Sequence, residues 1–210
     1  MSYLKQAAAA IFGAMLGSTN AMAVEEAEYS VVLKENSFEV RNYAPHVVAQ
    51  TLVKGDFDQA GSQAFSRLFD YISGNNTSSQ KIAMTAPVAQ EGEKIDMTAP
   101  VGQQQMNGNW AVSFMMPASF SLASLPEPKD PDVTLRQVPE RQMAAVRYSG
   151  FWSESAYKRN KTELDTWINK NGFRIVGEHI WARYNPPFMP WFLRRNEVLV
   201  PIVMPSDSPN

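Results

Sequence analysis

Apolar positions along the chain change period several times, and each change marks an element. Residues 38–57 (FEVRNYAPHVVAQTLVKGDF) hold two strand-like runs, broken near Pro45 and closed by Gly55. A helical period follows: Phe65, Leu68, Phe69 and Ile72 fall at i, i+3, i+4 and i+7 before Gly74, with Asp58 as the expected N-cap. The same order recurs downstream. Residues 133–152 (VTLRQVPERQMAAVRYSGFW) are again two strand-like runs, broken at Pro139-Glu140 and closed by Gly150. Ser153 then caps a helix whose stripe is Tyr157, Leu164, Trp167 and Ile168, stopped by Asn171-Gly172. Arg41 and Arg136, Ala49 and Ala144, Gly55 and Gly150, and Phe57 and Trp152 are each 95 residues apart, so the chain reads as a duplication.

Further strand-like runs lie at 81–88, 94–101, 110–116, 178–184 and 196–203. Strand-strand-helix-strand units of this kind predict an α+β fold with a twisted antiparallel sheet, each helix laying one apolar face on it. The repeats span about 29–117 and 131–204, and Pro117, Pro126, Pro128, Pro131 and Pro139 mark 117–139 as the linker. A single domain over 24–210 is expected, with a pseudo-two-fold axis. Inside the first half, KIAMTAPV (81–88) returns as KIDMTAPV (94–101), identical at seven of eight positions. Read as strands, Ile82, Met84 and Ala86 share a face, as do Ile95, Met97 and Ala99. The pair either walls an apolar pocket or is an edge hairpin feeding the core.

The amino terminus breaks these patterns. Residues 1–23 (MSYLKQAAAAIFGAMLGSTNAMA) set Lys5 before an apolar run at 7–16 and end in Ala21-Met22-Ala23, the form of a cleaved secretory signal. A ten-residue run is about 15 Å of helix against ~30 Å of hydrocarbon, too short to span a bilayer. The expectation is an exported protein of residues 24–210, periplasmic if the host is bacterial.

Composition then narrows the chemistry. With 44% hydrophobic and 19% charged residues the chain is globular, and a net charge of −2 gives no electrostatic footprint for nucleic acid. The absence of cysteine excludes disulfides, thiolate metal sites and cysteine nucleophiles. Two histidines, His46 and His179, fall in different halves, and no zinc-protease, nucleophile-elbow, P-loop or dinucleotide motif is present. No catalytic residue and no metal-ligand set is assigned, and an enzyme is not expected. One segment stands out: in YNPPFMPWFLRRNEVLVPI (184–202), Phe188, Met189, Trp191, Phe192 and Leu193 crowd beside Arg194 and Arg195. Aromatic faces next to paired guanidiniums suit a planar apolar ligand that carries carboxylates. The alternatives are a lid, a membrane-touching tip, a core plug or a solvated strand start.

The RNY at 41–43, KIAMTAPV, VSFMMP (112–117) and the YNPP…RRNEV series, in this order, resemble the SOUL/haem-binding protein family over about residues 29–203. The resemblance implies a duplicated unit forming a distorted eight-stranded antiparallel barrel with two packed helices. It also implies non-covalent, non-catalytic binding of haem or a related tetrapyrrole in a shallow apolar groove beside the first helix. In this chain the candidates for that role are Arg67 and Phe69 on the helix, Trp191, Arg194 and Arg195 on the aromatic segment, and Met84, Met97, Met189 or His46 as iron ligands. Asn42 stands where iron-ligating members carry histidine. Other readings are a module for a different hydrophobic small molecule, an envelope protein whose aromatic loop touches membrane or a partner, and, more distantly, a hydrolase using Glu178 and His179.

Overall fold

The computed structural model describes residues 25–77 and 93–205. Its first half carries β1 (Tyr29–Glu35), β2 (Phe38–Tyr43), β3 (His46–Val53), α1 (Phe57–Ile72), β4 (Asn76–Thr77), β5 (Val101–Met106) and β6 (Asn109–Met115). After a two-residue β7 (Glu127–Pro128) come β8 (Val133–Val138), β9 (Arg141–Tyr148), α2 (Glu154–Lys170), β10 (Arg174–Ile175), β11 (Ile180–Arg183) and β12 (Asn196–Val203). A short 3₁₀ turn at Trp191–Leu193 precedes β12.

Nine strands follow one another as β1-β2-β9-β12-β11-β5-β6-β3-β8, β10 joins β12, and this antiparallel sheet curls into a half-barrel. Together with the two helices it makes an α+β fold. From β2 to β8 the order is palindromic: β2 corresponds to β8, β9 to β3, β12 to β6, and β11 to β5. The outer strands keep the spacing of the sequence match, β8 and β9 each beginning 95 residues after β2 and β3.

The two runs of each unit do not form a hairpin with one another. β2 lies on β9, pairing Phe38 with Val146 and Tyr43 with Arg141, while β3 lies on β8, pairing His46 with Val138. Pro45 and Pro139 lack the N–H that would continue a ladder. At each of them the chain turns a corner, and the two corners interlock. His46 therefore opens a strand instead of sitting in a hairpin turn.

Both helices start and stop on local chemistry. Asp56, not Asp58, caps α1, its carboxylate accepting from Gln59 N at 2.8 Å. Ser153 caps α2 by accepting from Ala156 N, and Gly172 follows at a φ of +71° that suits glycine. The stripe expected on α2 is buried throughout. On α1 the buried face is instead Ala60, Ala64, Leu68, Tyr71 and Ile72, and Phe69 is 45% exposed. Helix α1 covers β3 and β6, and α2 covers β9 and β12, each over its own apolar cluster. No helix among the described residues is long and apolar enough to cross a membrane.

Residues 94–100 are not a strand, and β5 begins only at Val101. Ile95 N donates to Ile72 O and Thr98 Oγ1 to Met115 O, so this segment hangs between the end of α1 and β6. Ile95 and Ala99 are buried but Met97 is 43% exposed, so the alternating face does not form. The 81–88 copy, with Met84, lies outside the described residues.

Candidate functional site

Helix α1 meets the sheet through small side chains, and that choice shapes the site. Ala60 and Ala64 are fully buried, and Gly61 sits so close to the sheet that a Cβ there would come within 3.1 Å of Gln103 Oε1. Gln103, on β5, is held in turn by donating to Phe57 O at 2.9 Å. Beside this contact runs a groove of about 570 Å³, within the ~300–1,000 Å³ usual for small-molecule sites. One wall is α1, with Ser62 and Phe65. The floor is Thr98, Ala99 and Val101, and the far wall is Trp152 with the chain from Arg183 to Pro187. Met97 stands on the rim.

Every wall is fixed from behind. Phe65 stacks on Phe69 (6.0 Å between centroids) and sets its edge to Phe114. Trp152 donates its indole N–H to Asn196 Oδ1 at 2.9 Å and lies under the guanidiniums of Arg194 (4.5 Å) and Arg183 (5.4 Å). Tyr184 donates to Glu197 at 2.8 Å, and burial pushes its phenol well above the ordinary value. Arg183 and Tyr184 are the titratable groups among the described lining residues. Chemically the groove offers apolar contact area, the edge of one guanidinium and the Met97 thioether.

The sequence candidates divide sharply around this groove. Met97 lines it, and Phe69 supports it through Phe65. Arg67 does not face it: its guanidinium reaches Asp130 (3.0 Å) and Asp132 (3.1 Å) and donates to Thr51, tying α1 to the linker. Arg194 donates to Met189 O at 2.8 Å and Pro187 O at 2.6 Å, stapling the aromatic loop. Arg195 is paired with Glu26 (2.8 Å) and Glu197 (3.0 Å) over the Tyr184 ring. These three arginines are engaged in holding structure together, because each reaches an acid or carbonyl first.

Trp191 stacks on Phe151, 5.2 Å away, in a cluster where Phe188 is 85% exposed; neither Trp191 nor Met189 lines the groove. His46 is on the other side of the sheet. On β3, Val47, Ala49 and Val53 pack toward α1, so His46, Val48 and Gln50 point away from it. His179 is bonded to Asp165 at 2.6 Å, away from the groove. No sequence pattern marks Gly61, Trp152 or Arg183 as ligand contacts; Trp152 stands out only as the repeat partner of Phe57.

The face opposite the helices carries the buried charge. Glu197, fully buried, takes a two-pronged contact from Arg41 (2.7 and 3.1 Å), a third bond from Arg195 and a fourth from Tyr184. Burial pushes the Glu197 carboxyl up, but Arg41 and Arg195 outweigh it and hold it below the usual carboxylate range. Arg41 also bonds Glu39 and Tyr43 and lies over the Tyr29 ring. The RNY signature is thus a structural clamp.

The family model described as SOUL heme-binding protein matches residues 24–201. Heme-binding protein 1 of Xenopus tropicalis is 25% identical over 163 residues, covering 77% of this chain and 82% of the relative. Heme-binding protein 2 of Homo sapiens is 26% identical over 171 residues, covering 77% and 80%. Among solved structures, the EcmrR C-terminal domain superposes with a TM-score of 0.57 at 10% identity, covering 84% of this chain and 98% of that one. A structure described as a hydrolase from Listeria innocua superposes at 0.53 and 13% identity, covering 82% and 94%. At these identities the structural likenesses establish the fold alone.

Proposed function

The chain belongs to the SOUL heme-binding protein family, and on that premise we propose that it binds haem or a related tetrapyrrole, non-covalently and without catalysis, in the groove beside α1. The observation that carries the reading is the groove itself: about 570 Å³, walled by Phe65, Val101, Trp152 and Pro186-Pro187, with Met97 on its rim. Those side chains would hold a macrocycle by area of contact, Met97 would reach its iron, and the open mouth would leave propionates in solvent. Bound haem would bring an iron centre and a strong visible spectrum. The protein's part is to exclude water from the ring faces and to orient them. No carboxylate or imidazole among the described lining residues is placed to act as acid or base.

A haemin titration read by Soret absorbance tests this. A saturable red-shifted band at one equivalent is expected. It should weaken at least about tenfold in Ser62→Trp, which fills the groove from the exposed side of α1, and persist in His46→Ala. A titration indistinguishable from free haemin, or binding lost in His46→Ala but kept in Ser62→Trp, overturns the site. If the protein carries a different hydrophobic molecule, mass spectrometry of a denatured extract identifies it, and Ser62→Trp removes it.

A second reading rests on the exposed cluster of Phe151, Phe188, Trp191, Phe192 and Leu193 beside the groove. These side chains would touch a lipid surface, and flotation with liposomes checks it: protein remaining unbound rejects it. The reading also includes export. Residues 1–23 have the leader pattern, and amino-terminal sequencing of the secreted protein should begin at Val24.

A further inference from the structure

Beyond the groove, the opposite face of the sheet holds a small cavity of about 70 Å³. A water needs ~10–15 Å³ by this measure, so there is room for a ligand of several heavy atoms. Its basic side chains are His46, Arg136 and Arg141, and no carboxylate stands among its described lining residues. His46 Nδ1 donates to Ala44 O at 2.9 Å, which leaves Nε2 unused by that bond. Arg141 is half-buried, and its Nε is buried without a hydrogen-bond partner. A buried donor with nothing to accept from it is destabilising, and a ligand acceptor would relieve it. Val48, Met115, Val138 and Leu199 supply an apolar floor.

The repeat makes the missing charge specific. Arg136 stands 95 residues after Arg41, which is neutralised by Glu197. Glu197 pairs across the sheet with Arg147; the residue 95 positions before Arg147 is Leu52, and Leu52 pairs with Ala111. Ala111 thus occupies the place of Glu197 in the other half. The half of the sheet built from β5, β6, β3 and β8 keeps its counterpart arginine, Arg136, without the acid that would balance it.

We infer that this cavity is a second binding site, separate from the groove, that takes a small carboxylate with a short apolar tail. The carboxylate accepts from Arg141 Nε and faces Arg136 and His46, while the tail lies on Val138, Met115 and Leu199. Burial, together with Arg141 and Arg136, already holds His46 below its ordinary value, as a site awaiting negative charge would.

Titration of the protein with butyrate, followed by NMR of the Met115 and Met143 methyls, decides it. Saturable shifts are expected with butyrate but not with butylammonium. Arg141→Gln should weaken butyrate at least about tenfold and the exposed Arg136→Gln a few-fold. Absence of saturation overturns the site, as does unchanged affinity in both variants or equal shifts with butylammonium. Binding of inorganic phosphate without butyrate overturns the carboxylate assignment. Should Arg141→Gln fail to keep the native backbone spectrum, unchanged affinity in Arg136→Gln alone rejects the inference. Haemin binding is scored separately, because Ser62→Trp acts on the other face.

Discussion

The two faces of one sheet have been put to opposite uses. Toward the helices, Trp181, Val198 and Val200 under α2 and Val112 and Phe114 under α1 make dry apolar clusters. Away from them, the alternate positions of β2, β3, β9 and β12 place Arg41, His46, Arg141 and Glu197 in company with Tyr43 and Met143. A strand cannot change one face without changing the neighbouring residue, because its side chains alternate. The helix-covered face has also diverged between halves. Helix α2 fills its contact with Tyr157, Leu164 and Trp167, whereas α1 presents Ala60, Gly61 and Ala64, and beside those small residues the groove opens. On the far face the difference is charge: complete around Glu197, incomplete around Arg141.

The largest effect should come from breaking the complete side. Glu197→Gln strands Arg41 and Arg195 and is expected to cost about 3–5 kcal/mol in chemical denaturation, much of it restored when Arg41→Met is added. A loss of under about 1 kcal/mol would mean that the clamp is not what holds this face.

Acidification probes both faces more gently, the far face through His46, Glu39 and Glu197 and the α2 side through His179. His46 and His179 sit below their ordinary values, chiefly through burial, so the unfolded chain binds protons first and stability falls as pH drops below about 6.5. Glu39 and Glu197 are also held low, Lys34 and Arg41 outweighing burial at Glu39 and Arg41 and Arg195 outweighing it at Glu197, and they add a steeper loss below about pH 4.3 as their folded-state carboxylates protonate. Urea midpoints across this range should decline in two stages, and Glu197→Gln should flatten the lower one.

On the groove side the contrast is between ligand and stability. Met97→Ala, at an exposed position, should leave stability within about 0.5 kcal/mol while altering the haemin Soret band. A band identical to wild type would remove Met97 as the iron ligand. The smallest effect belongs to Arg67→Ala. Its half-exposed pairs with Asp130 and Asp132 are worth about 0.2–1 kcal/mol, and haemin affinity should not move.

Much of this architecture was readable residue by residue. The runs at 38–57 and 133–152, the cap at Ser153, the α2 stripe and the strand at 196–203 all follow from period and local chemistry, which act within a few neighbours. The groove follows only from the family resemblance, as an apolar site beside the first helix with Met97 among several candidate iron ligands; residues 184–187 read as part of a family motif, while the aromatic residues after them read as the ligand contacts. Arg67, Arg194 and Arg195 read as free charges, because nothing in their spacing announces Asp130, Pro187 O or Glu26 as partners.

The sequence by itself determined the elements, their repetition and the family, since those rest on hydrophobic period, proline and glycine placement, and motifs that survive as contiguous words. The tertiary structure alone decided that β2 pairs with β9 and not with β3, that His46 and Met97 lie on opposite sides of the sheet, and which arginines are already paired. Those outcomes depend on which distant strands become neighbours and which face each alternating side chain then meets, and no local pattern carries that information.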